Sequence, residues 1–229
     1  MSGDTAAGTR AVGIDVGADA AWLVALETEG LLPRISGAML SHPIDIDQVV
    51  DFCRDSAVAI DAPAAPSVGA HLLDSRIAPK FRPGRCSEVA LARAGISVQF
   101  VTPQPGGSPF PSWMRAGFEI WRALEGPALE PVETYPHGVF WRLAGHPLFY
   151  KKHPSGARQR LAVLAAHLEL SSDVAMWSHD GIDALACALV ASLLLRGGAE
   201  RIGCTDDQQW AVHDGSAMYL PRRSLATST

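Results

Sequence analysis

The stretch Arg10-Ala-Val-Gly-Ile-Asp-Val-Gly17 sets one acid, Asp15, inside a compact apolar run that ends in glycine. A run of this length and composition predicts a central strand. A carboxylate in or beside a buried strand is costly unless it is paired, hydrogen-bonded or bound to a cation. The same juxtaposition recurs along the chain. Val58-Ala-Ile-Asp-Ala-Pro63 ends an apolar run at Asp61, and Val132-Glu-Thr-Tyr-Pro-His137 carries Glu133. His179-Asp-Gly-Ile-Asp-Ala-Leu-Ala-Cys-Ala188 carries Asp180 and Asp183 at the start of an apolar helix. Acids at the ends of successive apolar runs, in the order strand, strand, strand, helix, read as one site.

Outward from Asp15, residues 1–9 are small and polar and read as a flexible tail. Ala20 to Glu27 and Arg34 to Leu40 are two further strands bounded by turn formers, so that the first three strands form a meander. Apolar residues at Ile46, Val49, Val50 and Cys53 have helical spacing, and Val58 to Ile60 is a fourth strand stopped by Pro63 and Pro66. The stretch from about 64 to 130 is irregular. It holds a basic cluster, a short helix over Ser87 to Ala94, a loop around Gly106-Gly107, and a helix over Ser112 to Leu124. A fifth strand over Pro131 to Thr134 and helices over Ser155 to Leu168 and Asp180 to Arg196 follow. Met218 to Leu220, with Trp210 to Val212, suggests an edge hairpin. A three-strand meander followed by alternating helices and strands predicts a single α/β domain over 10–229 with a mixed five-stranded sheet and helices on both faces. That is the layout of ribonuclease H-like folds.

Composition narrows the function. The chain has 229 residues and a formal net charge of -5, which argues against a protein whose main task is to coat nucleic acid. The longest apolar run, Ile182 to Leu195, is about 14 residues and contains Asp183, whereas a membrane span needs roughly 20. With no apolar stretch in the first ten residues, a cytoplasmic protein is expected. Cys53, Cys86, Cys187 and Cys204 lie far apart without a Cys-x-x-Cys pair, and suit a reducing compartment better than a zinc cage or a disulfide framework.

A fold that sets the first and fourth strands side by side brings Asp15 and Asp61 together. Carboxylates at that range repel, and an oxygen-only donor set favours Mg²⁺ or Mn²⁺ over zinc. Asp180 and Asp183 are three residues apart and share a helix face. The expected metal ligands are therefore Asp15, Asp61, Asp180 and Asp183, with Asp180 alternatively a helix cap. Glu133 is either a further acid of the site or a structural one. His137 is a candidate proton donor to a leaving group. Arg82, Arg85 and Arg115 are candidate phosphate contacts, and Trp113 a candidate stacking residue at a pocket rim. Lys151 and Lys152 read as solvated surface in preference to phosphate contacts.

Gly13-Ile-Asp15, Ile60-Asp-Ala-Pro63, Arg85-Cys-Ser-Glu88, Glu133-Thr-Tyr-Pro-His137 and Asp180-Gly-Ile-Asp-Ala-Leu-Ala-Cys-Ala188, in this order, resemble the motifs of the domain-of-unknown-function family 429. The resemblance runs from about residue 11 to 196 and implies a predicted nuclease with a ribonuclease H-like fold. The last motif is also similar to the C-terminal helix of Holliday-junction resolvases, where acids so spaced bind metal. The leading expectation is a metal-dependent nuclease acting on nucleic acid or a nucleotide, with Asp15, Asp61 and Asp183 at its centre. A binding module with a vestigial acidic site and an actin-like ATP-binding protein are the alternatives. The acidic surface is compatible with a homodimer.

Overall fold

The computed structural model describes residues 10–102, 110–126, 129–203 and 214–223. The strands are β1 (Arg10–Val16), β2 (Ala21–Glu27), β3 (Arg34–Ser41), β4 (Ala57–Asp61), β5 (Leu129–Glu133), β6 (Ala199–Gly203) and β7 (Ala217–Pro221). The helices are α1 (Ile46–Cys53), α2 (Cys86–Arg93), α3 (Ser112–Leu124), α4 (Pro136–Ala144), α5 (Pro154–Ala165) and α6 (His179–Leu195). Five strands form one sheet in the order β3-β2-β1-β4-β5. β2 runs antiparallel to β1 and β3, while β4 lies parallel to β1 and to β5. This mixed sheet, flanked by helices, is the ribonuclease H-like arrangement that the order of elements predicts.

Alternation along the strands assigns the two faces. In β1, Val12, Ile14 and Val16 pack with Val58 and Ile60 of β4 against α1 and α3. Ala11 of β1 and Ala57 and Ala59 of β4 pack on the other face, with α6, α4 and α5. Side chains two apart share a face, so Asp15 and Asp61 point to the side covered by α6. That helix is buried along its length, from Gly181 to Leu193. It lies unusually close to the sheet: a Cβ on Gly13 would stand 2.0 Å from the Ala188 nitrogen and 2.1 Å from the Ala184 oxygen. The small residues at 13, 184 and 188 are what allow the contact. Gly13 makes room for the helix.

Two elements escape the sequence reading. One is α4, which Pro136 opens in its first turn and Gly145 closes in the left-handed conformation. The other is β6, which pairs antiparallel with β7 in a separate two-stranded sheet. β7 covers Met218 to Leu220 as expected, but its partner is 199–203, and 210–212 lie outside the described residues. The cysteine reading needs correction: Cys53 and Cys187 are buried free thiols, but Cys86 is part of a disulfide. No helix among the described residues is long and apolar enough to cross a membrane.

Candidate metal centre

The parallel pairing of β1 with β4 sets Asp15 directly beside Asp61 in register. Both stand at the strand ends, where the order of the sheet switches and ligands of α/β proteins gather. Asp183, in the first turns of α6, approaches from above. Ser178 caps this helix by accepting from the Gly181 N–H at 3.2 Å, so capping does not account for Asp180. Asp15 and Asp183 are buried, at 8% and 4% exposure, while Asp180 stays half-exposed at the rim.

The electrostatics are those of an under-neutralised cluster. Burial, and then the charges of Asp61, Asp183 and Asp180, hold the Asp15 carboxyl well above its ordinary range. Burial and Asp183 raise Asp61, against a side-chain hydrogen bond with Asp15 that works the other way. Burial raises Asp183 too, opposed by Lys151 and Arg160. The buried thiol of Cys187 lies beneath the cluster and is pushed far up by burial, then by Asp61, Asp15 and Asp183. The main cationic contact is Lys151. Its Nζ donates to Asp183 Oδ2 at 2.9 Å and lies 3.8 Å from Asp180 Oδ1. The acids thus meet with little positive charge beside them, and an all-oxygen donor set is of the kind that fits a hard divalent cation.

Two cavities of about 330 Å³ each adjoin the acids and share Asp61, Tyr135 and Lys151. One holds Asp15, Asp180 and Trp113; the other holds Asp183, His137 and Arg160. Trp113 and His137 therefore stand where the sequence suggests. Burial and then Arg160 lower the His137 pKa from its ordinary value, while Asp183 raises it. A third cavity, about 630 Å³, lies beyond Glu133 and Arg85 and includes none of the four aspartates.

Other expected residues are placed differently. Arg85 borders the cavity that holds Asp15, but its guanidinium is engaged by two carboxylates. It is 2% exposed, and its Nη2 and Nη1 donate to Glu133 at 2.6 and 2.8 Å while Nε donates to Glu88 at 2.8 Å. Glu133 also accepts from the Ala64 N–H at 3.2 Å, and Glu88 from the Arg85 and Val101 N–H groups at 2.9 and 3.1 Å. Glu133 is accordingly the anchor of a buried ion-pair bridge, although it borders one of the acid-lined cavities. Arg82 donates to the Ile77 carbonyl at 2.8 Å, and Arg115 is exposed; neither lines the acidic cavities. Lys151, Tyr135 and Arg160 are the additions. The Tyr135 hydroxyl donates to the Ser97 carbonyl at 3.0 Å, and Arg160 Nη1 to the Phe149 carbonyl at 3.0 Å.

The sheet order and the converging aspartates define a ribonuclease H-like chain with an acidic centre. Residues 113–208 match the family model described as a protein of unknown function, DUF429. That span includes the motifs around Glu133 and Asp180–Ala188; the strand motifs at Asp15 and Asp61 precede it. No curated protein matches the chain. Among solved structures, the chain is similar to RuvC of Thermus thermophilus, with 16% identity and a TM-score of 0.46 over 82% of this chain and 96% of that one. It is also similar to RuvC from the same organism in complex with a Holliday junction substrate, with 17% identity and a TM-score of 0.47 over 83% and 97% of the respective chains.

Proposed function

We propose that this protein is a metal-dependent hydrolase of phosphodiester bonds, with nucleic acid as its substrate class. The observation that carries the reading is the convergence of Asp15, Asp61 and Asp183 at one end of the sheet, each raised in pKa by burial, Asp15 further by Asp61 and Asp183, and Asp61 further by Asp183. A fold that retains buried acids without matching counter-charges incurs a standing cost, which a bound cation removes. Asp15, Asp61 and Asp183 would hold Mg²⁺ or Mn²⁺, with Asp180 at the entrance. Such an ion, when bound, lowers the pKa of a coordinated water and offsets charge on phosphate oxygens.

The remaining groups have roles set by position. Lys151 reaches the acids from the loop before α5 and steadies Asp183 and Asp180. Its ammonium is suited to meet a phosphate at the cavity mouth. Arg160, on the far wall of the His137 cavity, adds positive charge facing Asp183. Trp113 offers an aromatic face beside Asp15, suited to stacking on a base. His137 lines the cavity that holds Asp183 and is placed to exchange a proton there.

A panel of labelled single-stranded, duplex and branched DNA and RNA oligonucleotides, incubated with Mn²⁺, tests this directly. Cleavage by the wild type that disappears in Asp15→Asn and Asp183→Asn supports the assignment; equal cleavage by all three proteins sinks it. One observation favours a second reading, a metal-independent binding module: Lys151 already supplies the acids with a cation from within the chain. Under that reading, nucleic-acid binding is unaffected when divalent ions are chelated.

A further inference from the structure

The segment between β4 and α2 is poorly anchored by apolar burial. Val68, Leu72 and Leu73 are exposed, Leu73 at 98%, and the local core consists of Ile77, Cys86 and Val89 with Phe81 and Ala90 beside them. So small a core needs a staple. At its edge three donors of different chemistry converge: His71, Cys86 and Asp214, whose ligand atoms all lie within 4.8 Å of one another. His71 and Cys86 are fully buried, with His71 Nε2 3.1 Å from Cys86 Sγ. Asp214 accepts from the Cys86 N–H at 3.0 Å through Oδ2, while the Ser216 N–H and hydroxyl donate to Oδ1 at 2.9 and 2.7 Å. The carboxylate is thereby oriented toward the sulfur and the imidazole. In the structure Cys86 is disulfide-bonded.

We propose that His71, Cys86 and Asp214 form a redox-gated site for a transition-metal ion of the zinc class, separate from the acidic centre. Imidazole, thiolate and carboxylate together select zinc-like ions, whereas the four aspartates offer only oxygen. Bonds of about 2.3 Å to sulfur and about 2.0–2.2 Å to nitrogen and oxygen set tetrahedral donors roughly 3.3–3.6 Å apart. The present cluster reaches that spacing with small side-chain shifts. The disulfide closes the site, because a bridged sulfur carries no thiolate charge. A phosphine opens it. Phosphorus gives two electrons to the S–S bond and takes oxygen from water, and the two sulfurs leave as thiols bearing that water's protons. The metal then displaces the Cys86 thiol proton to solvent. When reduced and loaded, the site would tie the segment before α2 to α2 itself and to the residues that lead into β7 through one metal ion. Arg85, the next residue, sits on the same fixed turn as its bridge to Glu133.

Co²⁺ is the probe, titrated into the full chain before and after phosphine reduction. Thiolate-to-cobalt charge-transfer absorption saturating at one ion per chain is expected in the reduced protein and absent in the oxidised one. The band disappears in Cys86→Ser. Asp214→Asn, which keeps the sulfur, weakens cobalt binding at least tenfold. Asp183→Asn leaves the band in place, which separates this site from the acidic centre. Zinc should also raise the Tm of the reduced wild type and leave that of Cys86→Ser unchanged. A reduced wild type that folds but gives no charge-transfer band, or a band that survives in Cys86→Ser, overturns the proposal and leaves the cluster a disulfide staple only.

Discussion

Two groups of buried charge lie side by side in this molecule, and the sequence presents them in the same way, as acids at the ends of apolar runs. In the first, Glu88 and Glu133 flank Arg85, and all three are at most 4% exposed. Each carboxylate receives a guanidinium and at least one backbone N–H, and the Arg85 pKa is raised despite its burial. In the second, Asp15, Asp61 and Asp183 face one another with Lys151 as their main partner and, among the described residues, no guanidinium bridging them; burial pushes every one of these carboxyls upward, as it does Glu133 despite Arg85. The first group is satisfied within the chain and fastens β5 to α2. The second is left short of positive charge. Burial of acids alone therefore does not mark a site; the shortfall in compensation is what the proposal rests on.

The sharpest way to break this contrast is to neutralise one acid in each group. Asp15→Asn or Asp183→Asn should lower Mn²⁺-supported phosphodiester cleavage more than about 100-fold, beyond what loss of an outer partner costs a metal site. Activity in both variants comparable to that of the wild type would erase the distinction. Arg85→Met strands two buried carboxylates and should cost about 3–5 kcal/mol, read from denaturant unfolding. Gly13→Ala forces a methyl into the backbone of α6 and should cost about 3 kcal/mol, the upper part of the overpacking range. It would test whether the β1–α6 contact sets the position of Asp183. The smallest effect has the opposite sign. Without metal, Asp15→Asn relieves repulsion and should leave the protein as stable as the wild type or more so, by up to about 1 kcal/mol, whereas Glu133→Gln should destabilise it under the same conditions. Thermal unfolding in chelator compares the two, and matching losses would contradict the account.

Much of the frame was legible in the chain because it depends on local pattern. The apolar run around Asp15, the helical spacing from Ile46 to Cys53 and the long apolar face after Asp183 each announce their own element. The side-by-side placement of Asp15 and Asp61 followed from the order of elements. What sequence pattern could not show were partnerships across distance. Arg85 finds Glu133 48 residues away, and Lys151 finds Asp183 32 residues away. A basic side chain in a loop looks the same whether it meets solvent, phosphate or a buried acid. The disulfide at Cys86 and the meeting of His71 with Asp214 were hidden for the same reason: their spacing follows no metal or disulfide motif. Helix α4 escaped because it is short and begins at a proline that, in the sequence, reads as the end of a strand.

The most direct test of the central claim is a Mn²⁺ titration followed by electron paramagnetic resonance on the wild type, Asp183→Asn and Glu133→Gln. The account predicts saturable binding in the wild type, its loss in Asp183→Asn and its retention in folded Glu133→Gln. Binding that is equal in the wild type and Asp183→Asn, or no binding by the wild type at millimolar Mn²⁺, would contradict it.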